Sequence, residues 1–139
     1  MTQDAIIAAA RACVGTPFRH QGRLLGVALD CAGVAVHVAN TLGLSPIDPA
    51  GYGRTPAFGM LEATLDGEPF LEPVTDLSDR QPGDLLLMRF TAEPQHLAIF
   101  TGDTINHAYE APGLCCEHLF TDRWQKRIVC VYRFVGVTP

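Results

Sequence analysis

Positive charge is scarce in this sequence: ten lysines and arginines stand against fifteen aspartates and glutamates, for a formal net charge of -5. That balance lacks the basic field with which proteins hold nucleic acid or an anionic membrane surface, so neither partner is expected. No apolar run approaches the roughly 18 to 20 residues that a membrane-spanning helix requires. A secretory leader is missing as well, because MTQDAIIAAARACVG has no basic n-region and carries Asp4 and Arg11 around a short alanine-rich stretch. The expectation is a soluble protein made in the cytoplasm, with a mature helix at its start. Repeats, low-complexity tracts and linkers are also absent. The five cysteines are an odd number, and neighbours Cys115 and Cys116 are poorly placed to bond each other, which argues against a disulfide scaffold. Cys115, Cys116 and His118 lack the CxxC spacing of a zinc knuckle and read as a strand with buried thiols. No metal and no cofactor are expected.

What the chain does have is apolar material. With 139 residues, 47% of them hydrophobic and 18% charged, it can bury one substantial core, and a single domain over residues 1–139 is expected. Such a length is not expected to hold a second domain of ordinary size. Thr2 is an N-cap for a helix from Gln3 to Cys13, stopped by Gly15 and Pro17. The loop FRHQGRLLG follows. From Cys31 to Leu42 the residues are apolar around nearly the whole helical circumference, which predicts a buried helix capped by Asp30 and ended by Gly43. Thr55 and Pro56 signal a third helix with Phe58, Leu61 and Leu65 on one side. Strands are expected at 84–90, 95–101, 104–110, 114–120 and 128–134, joined by connections too short for crossover helices. Consecutive strands should therefore pair as an antiparallel meander. The class is α+β, with helices first and the buried helix packed on a curled antiparallel sheet of five or six strands.

Cys31 differs from the other cysteines because it stands in the first turn of that buried helix, where unpaired N–H groups and the helix dipole favour a thiolate. A nucleophile there needs a base. The turn Gly102-Asp103 fixes a hairpin in which facing residue numbers sum to 205, so that Ala98 faces His107 and Tyr109 faces His96. His96, His107 and Tyr109 then share one face, and Asn106 points to the other. A cysteine at a helix start, a histidine at a strand start and a second polar group one strand over form the nucleophile, base and orienter of cysteine acyl-transfer enzymes. His37 is expected as a hydrogen-bonded core residue, and His118 is given no partner.

The segments GTPFRHQGR (15–23), DCAG (30–33), QPGDLLLMRF (81–90), QHLAIFTGD (95–103) and INHAYE (105–110) occur in an order that resembles the NlpC/P60 cysteine peptidases, especially their phage-tail-associated branch. The resemblance implies a papain-like fold with Cys31 as nucleophile, His96 as general base and His107 as the residue that orients it. It also implies a peptidoglycan stem peptide as substrate, cut at the γ-linked bond between D-glutamate and a diamino acid, and delivery in a virion tail with tail proteins as partners. Two positions depart from the family pattern: Phe18 stands where tyrosine is usual, and Ala32 where serine usually follows the nucleophile. Each removes a side-chain hydroxyl from the expected substrate site. Arg19, His20 and Arg23 in the preceding loop are candidates to meet substrate carboxylates. Asp30 is placed beside them, although a helix cap is its simpler role. The competing reading is a catalytically impaired tail-tip or wall-binding domain of the same fold.

Overall fold

Thr2 opens the first helix: its side-chain oxygen accepts a hydrogen bond from the Ala5 backbone N–H at 3.0 Å, satisfying one of the donors that a helix start leaves unpaired. In the computed structural model, which describes residues 1–46, 60–90 and 94–139, this helix (α1, Gln3–Arg11) turns Ile6, Ile7, Ala9 and Ala10 inward. Beyond Arg11 the chain tightens into three-residue turns, with Cys13 N–H donating to Ala10 O and Val14 N–H to Arg11 O, so the helix stops short of Cys13.

The stretch expected to be a plain loop contains a small hairpin, β1 (Arg23–Leu24) paired antiparallel with β2 (Ala28–Leu29). It lies across the start of the second helix (α2, Cys31–Thr41), where Asp30 caps by accepting from Gly33 N–H at 2.8 Å. The approach demands glycine on both sides. A Cβ on Gly33 would come within 2.2 Å of the Gly22 carbonyl oxygen, and one on Gly22 within 2.6 Å of the Ala28 carbonyl carbon. Only part of the α2 circumference is covered: Ala32, Val34, Val38 and Ala39 are buried, whereas Asn40 and Thr41 are exposed. His37 is therefore not a core residue. It is half-buried on the helix surface, where the Thr41 hydroxyl lies 3.4 Å from its Nε2. A third helix (α3, Met60–Asp66) buries Leu61 and Leu65 as expected; Thr55, Pro56 and Phe58 lie outside the described residues.

Six strands make one antiparallel sheet: β3 (Leu71–Pro73), β4 (Leu85–Arg89), β5 (Pro94–Phe100), β6 (Thr104–Tyr109), β7 (Leu114–Leu119) and, after a short helix α4 (Asp122–Gln125), β8 (Ile128–Phe134), in the order β3-β8-β4-β5-β6-β7. The meander holds from β4 to β7 and fails at β8, which returns to the far side of β4 instead of pairing with β7. The reason is in β4 itself. Leu85, Leu86, Leu87 and Met88 are all buried, so this strand needs a neighbour on each edge and a cover on each face. A two-pronged ion pair fastens the closure, with Arg133 Nε and Nη2 donating to the Asp84 carboxylate at 3.0 and 2.9 Å.

The β5–β6 register is the one the turn dictates, with Ile99 opposite Asn106 and Phe100 opposite Ile105. Alternation then divides the side chains. Leu85, Leu87, Leu97, Ile99, Tyr132 and Phe134 pack with α1, α2 and α3. Leu86, Met88, Ala98, Phe100, Ile105 and Val131 form a second cluster on the other face, against Phe120 and Trp124. Asn106 faces the helices and donates to the Ala10 carbonyl at 3.1 Å, tying β6 to α1.

Candidate active site

Asp30 and Cys31 begin the site. Besides capping α2, the Asp30 carboxylate accepts from Gln21 N–H at 2.9 Å and from Arg23 Nη1 at 2.8 Å, and it is only 4% exposed. Asp30 is thus the post around which the 19–30 segment folds, and Arg23 is its ion-pair partner, so neither is a free substrate contact. Ala32 points into the core between α2 and the sheet. Phe18 packs on a separate cluster of Cys13, Leu29, Val34, Ala108 and Cys115. Of the remaining candidates, Arg19 is exposed and His20 half-buried.

The Cys31 thiol lies within hydrogen-bonding reach of the backbone N–H groups of Leu97 and Ala32, which sets the nucleophile against the residue that follows His96. The surroundings of Cys31 in the substrate-free chain run against the expected thiolate. Burial, reinforced by the Asp30 carboxylate, pushes the Cys31 pKa up to about 12, and the two N–H groups and Arg23 only partly offset this. Alkylation by iodoacetamide should report it: the rate at Cys31 is expected to climb as pH rises above 9, with no preferential labelling at pH 6. Rapid labelling at pH 6 would show a thiolate that this geometry does not support.

Three histidines, one from each of β5, β6 and β7, form a chain. His96 Nε2 is 2.6 Å from His107 Nδ1, and His107 Nε2 is 2.7 Å from His118 Nε2. The far end is anchored, because His118 Nδ1 lies 3.0 Å from the Leu119 carbonyl oxygen. That oxygen can only accept, so His118 carries its proton on Nδ1, and the rest follows link by link for neutral rings. His118 Nε2 accepts from His107 Nε2–H, His107 Nδ1 accepts from His96 Nε2–H, and His96 is left with a bare Nδ1. That tautomer leaves a lone pair for a thiol proton.

Aromatic rings wall the chain in. Tyr109 stacks on His107 at 4.3 Å between ring centroids, Phe90 lies 4.6 Å from His96, and Trp124 lies 5.1 Å from His107 and 4.9 Å from His118. His96 and His107 are 3% and 0% exposed. Burial, helped by Arg127, lowers the His96 pKa to about 3, and burial together with its two histidine neighbours lowers that of His107 to about 2. Both rings stay neutral at any pH near 7. The unfolded chain takes up protons on these residues below its ordinary pKa of about 6.5 while the folded chain does not, so stability falls as pH drops. The expected slope is about 1.4 kcal/mol per pH unit for each histidine between roughly pH 6 and 4. Urea unfolding at pH 7, 6 and 5 should show it, and His107→Gln should have a shallower slope than wild type.

Cys31, His96 and His107 therefore stand on a helix start and two paired strands, the elements that the sequence assigns to them. A profile of the NlpC/P60 family matches residues 15–133. The chain belongs to the NlpC/P60 family. Solved structures agree on the fold: an NlpC/P60 family protein from Bacillus cereus superposes with a TM-score of 0.73 at 17% identity, over 98% of this chain and 41% of that one. The NlpC/p60 domain of the peptidoglycan hydrolase SagA gives 0.66 at 20% identity, covering 96% of this chain and 100% of that one. RipD from Mycobacterium tuberculosis, described as a non-catalytic NlpC/p60 domain protein adapted to peptidoglycan binding, gives 0.63 at 15% identity, over 96% of each chain. No curated protein sequence matches. The chain spans 41 to 43% of the length of the first three solved relatives.

Within this NlpC/P60 domain, several residues at the site escaped sequence reasoning. His118 is the anchor of the histidine chain, and Cys116 lies directly opposite His107. Both were accessible in principle, since the Pro112-Gly113 turn implies a second hairpin whose register can be counted. Phe90, Trp124 and Arg127 had no such signal, because α4 reaches the histidines through a turn whose path the pattern does not encode. Together with Tyr109, Glu110, Ala111 and Arg123 they line an open cleft beside the histidine chain.

Proposed function

We propose that this NlpC/P60 domain hydrolyses the stem peptide of peptidoglycan by a Cys-His-His thiol mechanism, at the γ-linked bond between D-glutamate and the following diamino acid. The observation that carries the reading is the directed histidine chain, which ends in a bare Nδ1 on His96 next to the residue that contacts the Cys31 thiol. Peptidoglycan as substrate is supported by the hydrolase and peptidoglycan-binding relatives of the same fold. Delivery with a phage tail, in contact with tail proteins, belongs to the same proposal and is supported by the order of the sequence motifs.

The resting pair is a neutral thiol and a neutral imidazole. As Cys31 Sγ attacks the amide carbonyl carbon, His96 Nδ1 takes the thiol proton, and backbone N–H groups at the start of α2 meet the developing oxyanion. The resulting imidazolium is stabilised through His107, which accepts from its Nε2–H. Collapse of the tetrahedral intermediate breaks the C–N bond, His96 returns the proton to the leaving amine, and a thioester remains. Water, deprotonated by the same Nδ1, then releases the acid and regenerates the thiol. Burial of the pair costs nothing at the outset, because no charge exists until the substrate is in place. In the aromatic cleft, Arg123 and Arg127 provide the positive charge that an acidic stem peptide requires.

His118 is a positioning residue in this scheme. His118→Ala should lower kcat about tenfold by releasing the tautomer of His107, whereas His118→Gln, which keeps an acceptor oxygen, should recover most of it. KM should stay within about twofold in both, a split that a purely structural defect would not produce. The reaction itself is tested by incubating the chain with disaccharide-tetrapeptide muropeptides and weighing the products. Fragments ending in D-glutamate support the proposal. Intact muropeptides that nevertheless co-sediment with the protein would instead support the wall-binding alternative, which has a precedent in RipD, the non-catalytic relative.

A further inference from the structure

Cys116 takes no part in the proposed reaction, yet it faces His107 directly across the β6–β7 ladder. Its sulfur and one nitrogen each of His107 and His118 all lie within 4.8 Å of one another. The nitrogens are identified by what the others do: His118 Nδ1 is held by the Leu119 carbonyl and His107 Nδ1 by His96, so the two Nε2 atoms, 2.7 Å apart, are the converging pair. We propose that His107, Cys116 and His118 form an inhibitory binding site for a zinc-like divalent ion.

The donor set selects the ion. Two imidazole nitrogens and one thiolate suit a borderline-soft metal with tetrahedral preference and do not suit calcium or magnesium, which take oxygen ligands. Bonds of about 2.0 to 2.3 Å place tetrahedral ligands roughly 3.3 to 3.6 Å apart, so the nitrogens must open by about 0.6 Å and the sulfur must close in by up to about 1.2 Å. The outer contacts are already in place, since the Leu119 carbonyl orients His118 as the second layer of a metal site does. Cys116 and His118 are half-buried, which gives an ion a route from solvent along β7.

Binding and catalysis compete for one nitrogen. Coordination of Cys116 releases its thiol proton to solvent, one per ion. Coordination of His107 through Nε2 requires its own proton to sit on Nδ1, which then donates to His96 Nε2. His96 must in turn carry its proton on Nδ1, the position that accepts from Cys31 in the proposed reaction. No further proton is gained or lost. The ion thus reverses the direction of the histidine chain and removes the base without touching the nucleophile. The inhibitory consequence rests on the hydrolase reading, but the binding does not.

Titration of the metal-free chain with cobalt(II) separates the two. One Co²⁺ should bind per chain, with the intense visible bands of a tetrahedral site and a near-ultraviolet thiolate charge-transfer band. Cys116→Ser should abolish the charge-transfer band and weaken Zn²⁺ binding, measured in competition with a chelating dye, by about tenfold or more. In the hydrolysis assay, Zn²⁺ should inhibit wild type, and the half-inhibiting concentration should rise by the same factor in Cys116→Ser, whose rate without metal should equal wild type. A charge-transfer band that survives Cys116→Ser and vanishes in Cys31→Ser would overturn the proposal by placing the ion on the nucleophile. So would the absence of any thiolate band, or tight Zn²⁺ binding that leaves hydrolysis unchanged. If neither protein hydrolyses muropeptides, the cobalt spectrum still decides whether the site exists.

Discussion

Cys31→Ala is expected to reduce muropeptide hydrolysis at least about 10⁴-fold, because removing the nucleophile of a hydrolase leaves only binding and oxyanion stabilisation to accelerate attack by water. The substitution exchanges a thiol for a hydrogen at a half-buried position in the first turn of α2. Asp30, which caps that turn and holds Arg23 and Gln21, is untouched, so folding stability should change by about 1 kcal/mol or less. The pairing of those two results matters more than either alone. Full loss of activity with an unchanged unfolding midpoint assigns Cys31 to chemistry, while residual hydrolysis within tenfold of wild type would move the nucleophile elsewhere.

Asp30→Ala should have the largest effect on stability. The carboxylate is 4% exposed and accepts from Gly33 N–H and Arg23 Nη1, each at 2.8 Å, and from Gln21 N–H at 2.9 Å. Its removal strips the cap from α2, worth about 1 kcal/mol, and takes the charge partner from a half-buried guanidinium, which keeps its bond to the Gly22 carbonyl. The total expected loss is about 3 to 5 kcal/mol, the range for breaking one side of a buried ion pair. Asp30→Asn keeps a cap acceptor and should lose less than half as much. Urea midpoints for the three proteins give the order directly, and equal midpoints for wild type and Asp30→Ala would show that the β1–β2 segment is held by other means.

Much of this site was legible in the sequence because it depends on local rules. The Asp30 cap and the Gly102-Asp103 turn each act over a few residues, and together they put Cys31 at a helix start and His96 and His107 on one face. What was hidden depends on tertiary closure. The return of β8 to β4 follows from the need to cover a fully buried strand, which no connection length reveals. His118 gained its role only when β7 paired with β6, and Trp124 only when α4 folded back over the histidines. The electrostatics run against the thiolate expectation for Cys31 for a different reason. The helix start does supply favourable N–H groups, but their effect is smaller than that of burial, which a spacing argument does not measure. A neutral thiol and a neutral imidazole are the consequence, and they make the protonation pattern of the histidines the decisive property of the site.

That pattern is directly measurable. In the ¹⁵N-labelled, metal-free chain at pH 7, the ring nitrogen shifts should show His96 and His107 protonated on Nε2 with bare Nδ1, and His118 protonated on Nδ1. A proton on Nδ1 of His96, or a doubly protonated His96 paired with a thiolate at Cys31, would contradict the mechanism.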